Sequence, residues 1–157
     1  MYFNNGDKYE GDLKNDQFEG KGKYIYKNGD IYDGEWKNDK FEGKGIFYYT
    51  NGPGKGDKDV GEWKEGLAEG KGTYYFNNGP NKGDIYEGDW KKGNKEGKGV
   101  YYYNDGNKYE GEFKNDKFNG NGVIRYTNGD KYIGQFVDDH IEGKGLMIFN
   151  GGKKKLI

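Results

Sequence analysis

Apolar and polar residues alternate along short segments of this chain. In Tyr9–Lys14, the residues Tyr, Gly and Leu alternate with Glu, Asp and Lys, and the segment Gly20–Tyr26 alternates in the same way. Alternation of this kind is typical of a β-strand with one face toward water. The glycines argue against a helix, because each would cost a helix about 1 kcal/mol relative to alanine. Each pair of segments therefore predicts a β-hairpin.

The same pair of segments recurs six times along the chain. Every copy carries glycine at three fixed positions, which are Gly11, Gly20 and Gly22 in the first copy. A fixed period of 23 or 27 residues is typical of a repeat array. We expect one array over residues 1–157, with a partial strand at 1–8 and a tail at 150–157. The copies begin at Tyr9, Tyr32, Asp59, Tyr86, Tyr109 and Tyr132.

Short polar segments join the predicted strands. A polar turn such as Asn15–Glu19 lies inside each copy, and an Asn-Gly or Asp-Gly pair such as Asn28-Gly29 lies between copies. Connections this short make neighbouring strands antiparallel, so the chain predicts one continuous antiparallel meander. Two of the segments between copies contain four extra residues, at 53–56 and 80–83. We expect these insertions to project from one long edge of the sheet, either as simple variation or as a contact feature.

Face parity limits the register between copies. Keeping the aromatic residues of successive copies on one face requires an odd number of loop residues, which favours a three-residue loop or a bulged glycine. One register that meets this condition places Tyr26 opposite Tyr32. The same register places Trp36 opposite Gly22, so that rings lie over glycines.

The alternation gives the sheet two different faces. Face B carries mixed charges such as Glu10, Asp12 and Lys14, and we expect it to be solvated. Face A, as we call the other side, carries the glycines and the rings. Neither an amphipathic helix nor a second sheet is encoded to cover face A, so we expect its rings to line a groove for a partner. The predicted partner-binding residues are Tyr24, Tyr26, Trp36, Phe47, Tyr49, Trp63, Tyr74, Phe76, Trp90, Tyr101, Tyr103 and Tyr126.

The last copy departs from the others on face B. A small apolar patch replaces the charges there, and it comprises Ile133, Val137, Leu146 and Ile148. Two interpretations stay open at this point. Either the end of the chain packs on the patch, or another domain or a second molecule docks there. Open strand edges at the ends of the array also predict self-association.

Composition taken alone would indicate disorder. Only 31% of the residues are hydrophobic, 34% are charged, and the mean hydropathy is -1.30. The aromatic content of 18%, placed at fixed spacing, indicates folded strands instead. A net charge of -1 lacks the basic footprint of a nucleic-acid-binding protein. We therefore expect no nucleic-acid partner.

Candidate catalytic residues are scarce. The chain has no Cys, no Ser and one His, His140, which excludes Ser/His and Cys/His nucleophilic systems. Its carboxylates recur in every copy, so no unique acid/base pair stands out. Steps such as Gly20-Lys21-Gly22 lack the spacing of a phosphate loop. We predict a protein that is not an enzyme and binds neither a metal nor a cofactor.

The repeated frame resembles the MORN-repeat family. Segments Tyr86–Trp90 and Gly97–Tyr103 are close to its consensus, whereas Asp59 replaces the opening Tyr, and Leu13, Phe113 and Phe136 replace the Trp. The resemblance implies an elongated, twisted, single-layer antiparallel sheet with an aromatic groove. It further implies a scaffold function, and family members are associated with cilia, the cytoskeleton, membrane junctions and regulatory regions of larger enzymes.

The leading hypothesis is a non-catalytic scaffold that presents face A to a partner helix or extended peptide. One alternative is a membrane-recruitment module that binds acidic phospholipid head groups through lysines. Another is a regulatory repeat region of a larger enzyme. The absence of a signal peptide and of an Asn-x-Ser/Thr sequon favours a cytoplasmic protein, with a cytoskeletal, ciliary or membrane association.

Overall fold

Thirteen antiparallel strands form one open sheet, and every strand pairs with its neighbours in sequence. The computed structural model describes residues 1–157. It contains no helix, and so no helix able to cross a membrane. The predicted all-β, single-layer meander of hairpins is confirmed. The strands are β1 (Lys8–Lys14), β2 (Gln17–Ile25), β3 (Ile31–Lys37), β4 (Lys40–Tyr48), β5 (Lys58–Lys64), β6 (Leu67–Tyr75), β7 (Ile85–Lys91), β8 (Asn94–Tyr102), β9 (Lys108–Lys114), β10 (Lys117–Arg125), β11 (Lys131–Val137), β12 (His140–Ile148) and β13 (Lys154–Leu156).

The turn inside each copy is shorter than the sequence predicts. Lys14 pairs with Gln17, and the two residues between them, Asn15 and Asp16, have φ values of 51° and 61°. Two successive positive φ values are typical of a type I′ hairpin turn, whose twist matches that of the strands. The prediction of a polar turn over residues 15–19 was therefore wrong, because residues 17–19 belong to β2.

The loop between copies has three residues, as predicted. The Tyr26 N–H donates to the Asp30 carbonyl at 2.9 Å, and the Gly29 N–H donates to the Tyr26 carbonyl at 2.8 Å. Gly29 supplies the positive φ of 93° that this closure requires. In the first longer loop, Tyr49 and Asp57 form the equivalent closing pair, with N–H to carbonyl at 3.0 Å. The four extra residues thus extend the loop and leave the strand register unchanged.

The predicted register was wrong by two residues. Tyr24, and not Tyr26, lies opposite Tyr32, and Trp36 lies opposite Gly20. Tyr26 pairs with Asp30 to close the loop. Tyr32 follows Asp30 by two residues, and it therefore lies opposite Tyr24, two residues before Tyr26. A shift of two residues preserves the face of every side chain, so the assignment of rings to face A is unaffected.

Glycines of neighbouring strands lie directly opposite one another across most of the sheet. The opening tyrosine of a copy covers two of them, because a Cβ added to Gly34 would lie 2.5 Å from the Gly45 Cα and 2.7 Å from the Tyr32 Oη. Glycine therefore makes room for a ring, as predicted, but the ring is that of the opening tyrosine. This glycine row comprises Gly11, Gly22, Gly34, Gly45, Gly61, Gly72, Gly88, Gly99, Gly111, Gly122 and Gly134.

The middle glycine of each copy has a different role. Between Gly11 and Leu13 the pairing of β1 with β2 shifts by two residues, and Gly20 lies in this bulge with a φ of 68°. The Asp12 carboxylate accepts the Lys21 N–H of the bulge at 3.1 Å. A charge on face B thus satisfies a backbone donor that the bulge removes from the ladder.

Carboxylates also connect neighbouring copies along both long edges of the sheet. Asp30 accepts the Thr50 N–H at 2.6 Å, and the same bond recurs from Asp130 to the Asn150 N–H at 2.7 Å. On the opposite edge, Asp39 accepts the Phe18 N–H at 2.8 Å. Much of the charge that lowers the mean hydropathy therefore holds the array together.

The two ends of the sheet are covered only in part. Of residues 1–8, predicted as a partial strand, Tyr2 forms a single bridge with Lys8 before β1 begins. At the other end, the predicted tail contains β13, whose Leu156 lies opposite Leu146 of β12.

Candidate functional site

The rings of face A form two layers, and the layer nearer the sheet is buried. Trp36 lies edge-on between Tyr9 and Tyr32, with ring centroids 5.4 and 5.2 Å away. Trp63, at the same position of the next copy, contacts Tyr32 in the same edge-on geometry at 5.5 Å. We call this layer the inner spine, and it comprises Tyr9, Tyr32, Trp36, Trp63, Tyr86, Trp90, Tyr109, Phe113, Tyr132 and Phe136. Three predicted partner-binding residues, Trp36, Trp63 and Trp90, therefore belong to the core.

A second layer of rings lies toward the joining loops. Consecutive ring centroids in this layer are 4.7 to 6.0 Å apart, so the rings form one unbroken line across the first eight strands. Most of its rings are half-buried and keep an outer surface, whereas Tyr101 is buried. We call this layer the outer strip, and it comprises Phe3, Tyr24, Tyr26, Phe47, Tyr49, Tyr74, Phe76, Tyr101 and Tyr103.

The outer strip brings together all the remaining predicted partner-binding residues except one. Tyr126 is half-buried and follows Tyr103 by one copy. Ile124 lies between them, where the preceding copies have an aromatic residue. The line of rings therefore ends at Tyr103.

Half of the tyrosine hydroxyls of the strip are used inside the protein. Tyr24 donates to Asp7 at 2.6 Å and Tyr74 donates to Asp57 at 3.0 Å. Burial and the bond to Asp7 raise the pKa of Tyr24 to about 12. The bonded tyrosines fix the strip to the joining loops.

The other hydroxyls have no hydrogen-bond partner in the chain. They belong to Tyr26, Tyr49, Tyr103 and, beyond the strip, Tyr126, which repeat at intervals of one or more copies. Burial raises the pKa of Tyr49 to about 12 and that of Tyr103 to about 12, so both stay protonated at neutral pH. A protonated hydroxyl can donate to a carbonyl, and this row of hydroxyls therefore offers regularly spaced donors to a partner.

Sequence reasoning missed one set of core rings. Phe41 stacks flat on Tyr32 at 3.7 Å between centroids, and Phe118 stacks on Tyr109 at 3.9 Å. Both lie in the segment predicted as a polar turn. A phenylalanine at the same frame position of three copies was the signal that could have found them.

The third and fourth copies interrupt the inner spine. Asp59 stands at the position of the opening tyrosine, Ala68 stands where Phe41 stacks on Tyr32, and Lys95 stands at that position in the fourth copy. The missing rings leave a cavity of about 420 Å³ on face A. Its lining includes Tyr49, Asp59, Trp63, Ala68, Tyr74, Phe76, Trp90, Lys95 and Asp116. We call this cavity the central pocket.

Asp59 is buried in the central pocket without a partner. Its residue surface is 4% exposed, and its carboxylate has neither a hydrogen bond nor an ion pair within the protein. Burial raises the pKa of Asp59 to about 7. Burial lowers the pKa of Lys95, whose Nζ lies 4.9 Å from the Phe76 ring centroid and 5.2 Å from that of Tyr86.

The indole of Trp90 shows a further effect of the interruption. The Nε1 of Trp36 donates to the Gly22 carbonyl at 2.9 Å, and the Nε1 of Trp63 donates to the Gly45 carbonyl at 3.2 Å. The Nε1 of Trp90 is buried without a hydrogen bond. It lies beside Gly72, where an opening tyrosine at position 59 would place its ring.

Face B is less polar than predicted. Ile46, Val60 and Thr73 follow one another across β4, β5 and β6 on this face. They belong to a line that borders an open cavity of about 920 Å³, lined mainly by glycine backbone, lysines and carboxylates. This larger cavity has only three hydrophobic lining residues, so face A remains the better candidate for binding.

The predicted C-terminal patch stays mostly open. Ile133 is 39% exposed and Val137 is 46% exposed, whereas Leu146 and Ile148 are half-buried. Leu146 lies between Ile133 and Leu156 in the pairing of β11, β12 and β13. The end of the chain thus lies beside the patch without covering it, and docking on the patch stays a prediction.

The structure brings no catalytic constellation together. His140 is exposed, and its Nδ1 lies 2.7 Å from the Asp138 carbonyl oxygen. No three or more His, Asp or Glu side chains are grouped so that they could hold a metal ion.

Comparison with known proteins identifies the repeat and the fold. The family model for the MORN repeat matches residues 9–31, 32–53, 60–80, 86–108, 109–131 and 132–154, and the third match begins just after Asp59. Among solved structures, the SAS-4 (dCPAP) TCP domain of Drosophila melanogaster, in complex with a proline-rich motif of Ana2 (dSTIL), is similar with a TM-score of 0.60 and 15% identity over 99% of this chain and 80% of that chain. The TCP10 domain of Danio rerio CPAP, in complex with a STIL peptide, has a TM-score of 0.40 and 16% identity over 99% of this chain and 76% of that chain. A comparison with curated proteins found no match. Because the six repeat matches cover nearly the whole chain and coincide with the hairpins of the sheet, this chain belongs to the MORN-repeat family.

Proposed function

We propose that this chain is a non-catalytic protein-interaction scaffold that binds an extended, proline-rich peptide along the outer strip. The unbroken line of half-buried rings, together with its unbonded tyrosine hydroxyls, is the observation that carries the proposal. Aromatic grooves with hydroxyl donors are a common way of binding polyproline II segments, which expose carbonyls and flat proline rings.

The spacing of the strip favours an extended peptide over a helix. Two strands advance by about 9.6 Å across a sheet, so equivalent tyrosines of adjacent copies have about that separation. A polyproline II helix advances by about 9.3 Å in one turn of three residues. A peptide that runs across the strands can therefore present one turn to each copy, whereas an α-helix has a pitch of about 5.4 Å.

The structural comparison supports the same kind of partner. The Drosophila TCP domain has a similar fold over 99% of this chain and is described in complex with a proline-rich motif. Since identity is 15%, its contacts are not transferred to residues here.

The proposal is tested by binding of fluorescein-labelled decaproline, measured by fluorescence anisotropy. The double variant Tyr49→Ala, Tyr103→Ala removes two rings and two free hydroxyls of the strip, and we expect it to weaken binding at least tenfold. The matched control is Tyr48→Ala, Tyr102→Ala, which removes the adjacent exposed tyrosines of face B. We expect the control to bind like the wild type.

Two results would contradict the proposal. One is equal weakening by both double variants while circular dichroism shows an intact sheet. The other is tighter binding of an amphipathic helical peptide than of decaproline, which would favour a helix as the occupant of the groove.

The other functional hypotheses stay predictions. Membrane recruitment would need binding to anionic vesicles, which co-sedimentation at low and moderate salt measures directly. No contact in the structure favours self-association or a regulatory role within a larger enzyme. A cytoplasmic location with a cytoskeletal or ciliary association also stays a prediction.

A further inference from the structure

The central pocket interrupts the repeat on the part of face A that borders the outer strip. In a regular array a bound peptide could shift by one copy and meet the same side chains again. Only the third copy replaces the opening tyrosine, by Asp59, and the stacking positions of the third and fourth copies hold Ala68 and Lys95 in place of phenylalanine. A feature that occurs once can fix the position of a partner along the groove.

The pocket contains a carboxylate acceptor that makes no hydrogen bond within the protein. Asp59 is 96% buried, lines the cavity, and accepts no hydrogen bond from another residue. A buried carboxylate without a partner is costly, and that cost is recovered when a donor binds to it. The Asp59 carboxylate therefore favours a ligand that brings a hydrogen-bond donor into the pocket.

The charges around Asp59 favour a cation. Asp116 also lines the pocket, and the buried Asp57 accepts a hydrogen bond from the hydroxyl of Tyr74, another lining residue. Lys95 is the single cationic group of the lining, and it forms no ion pair with Asp59. The carboxylates thus exceed the ammonium groups in number.

The aromatic walls also suit a cation. The Lys95 Nζ lies 4.9 to 6.0 Å from the centroids of four rings, a distance at which the face of an aromatic ring attracts a cation. Trp63 and Trp90 provide indole surfaces on which a planar guanidinium can stack. The guanidinium also has five N–H donors, more than a lysine ammonium offers to a carboxylate.

We propose that the central pocket binds the guanidinium of an arginine side chain, with Asp59 as its counter-ion. The assignment of this arginine to a proline-rich peptide rests on the proposed function, whereas recognition of the side chain does not. Through this one contact, the peptide is held at a single register on the outer strip.

The first experiment uses a probe that is independent of the groove. Nα-acetyl-arginine methylamide is titrated into ¹⁵N-labelled protein, and the three tryptophan indole N–H signals are followed by NMR. We expect the signals of Trp63 and Trp90 to shift and that of Trp36 to stay in place, since Trp36 is outside the pocket. The corresponding glutamine and glutamate methylamides should leave all three signals unchanged.

Variants locate the contact. Asp59→Asn keeps the shape of the side chain and removes its charge, so we expect the arginine-induced shifts to disappear. Asp33→Asn, on the exposed side of β3, is the matched control and should respond like the wild type. Lys95→Met removes the competing ammonium and should tighten binding of the arginine probe several-fold.

The second experiment connects the pocket to the peptide. Decaproline with one central arginine should bind the wild type at least tenfold more tightly than decaproline with a central glutamine, and Asp59→Asn should abolish the difference. If neither peptide binds but the arginine probe still shifts the indole signals, the pocket stands and the proposed groove function fails. If both peptides bind equally and Asp59→Asn has no effect, the arginine site is disproved while the groove function stands.

Two further outcomes would also overturn the inference. Shifts induced by the glutamate probe would identify an anion site at Lys95 instead. Shifts of the Trp63 and Trp90 signals on raising the protein concentration, with no probe present, would identify a second copy of this chain as the occupant.

Discussion

Asp59 has a different chemical environment from every other carboxylate of the chain. Its burial raises its pKa to about 7, whereas the hydrogen bonds of Asp30 lower the pKa of that carboxyl although desolvation opposes them. A carboxyl group with a raised pKa in the folded state stabilises the protein when protonated. That contribution is present at pH values below the unfolded pKa, near 4, and is lost as pH rises through 7.

Asp59→Asn should therefore remove a pH-dependent loss of stability. Between pH 5 and pH 8, we expect the free energy of unfolding of the wild type to fall by about 2 to 3 kcal/mol relative to the variant. Urea unfolding at the two pH values measures this difference. The variant Asp33→Asn serves as the control, and a stability difference between Asp59→Asn and the wild type that does not change with pH would refute the prediction.

The sequence predicted which residues carry rings but not how those rings are layered. The alternation placed the rings on face A. Their layering depends on the strand register, and face parity cannot distinguish two registers that differ by two residues. Asp59 was visible as a departure from the repeat. The pocket also needs Ala68 and Lys95, however, and these residues lie in the segment that the sequence assigned to a turn.

The hairpins illustrate why that turn was misassigned. Two arrangements place Gly22 on the same face of the sheet. One is a two-residue turn followed by a two-residue bulge, and the other is a longer turn without a bulge. The hydrophobic pattern is therefore the same for both arrangements. They differ in the positive φ of Asn15, Asp16 and Gly20, which alternation does not report.

Carboxylates in the joining loops add hydrogen bonds between neighbouring hairpins to those of the strand ladders. Asp84 is 6% exposed, and it accepts hydrogen bonds from the Tyr101 hydroxyl at 2.7 Å and the Asn104 N–H at 2.8 Å. Asp84→Ala would leave the buried Tyr101 hydroxyl and the partly buried Asn104 N–H without a partner. We expect a loss of about 2 to 4 kcal/mol in the free energy of unfolding, measured with urea.

A control for this element lies on the next strand. Glu87 is exposed on β7 and makes no hydrogen bond or ion pair within the chain, so Glu87→Ala should change stability by less than about 0.5 kcal/mol. Equal effects of the two substitutions would show that the loop carboxylates do not connect the hairpins.

Across the whole molecule, stability should depend on contacts between adjacent copies, because each hairpin touches only its neighbours. The inner spine couples the copies except at the central pocket, where Trp63 and Trp90 each lack one tyrosine neighbour. The weakest coupling in the array therefore lies between the third and fourth copies.

Restoring the regular frame should strengthen this coupling. In the double variant Asp59→Tyr, Ala68→Phe, the new rings can stack as Tyr32 and Phe41 do at 3.7 Å. We expect a gain of about 1 to 3 kcal/mol and a higher thermal midpoint, since the cavity is filled and a buried charge is removed. Native-state hydrogen exchange should show the two halves opening separately in the wild type and together in the variant. A lower midpoint for the variant would contradict this account.

The uniform strand register has a consequence for how the length of such a molecule can change. Every joining loop, short or long, is closed by the same hydrogen bond, from the N–H of the aromatic residue before it to a carbonyl at its end. Duplication of one 23-residue unit therefore adds two strands in the existing register. Each added unit lengthens the sheet by about 9.6 Å. Duplication or deletion of one unit in the gene would therefore change the length of the sheet in fixed steps.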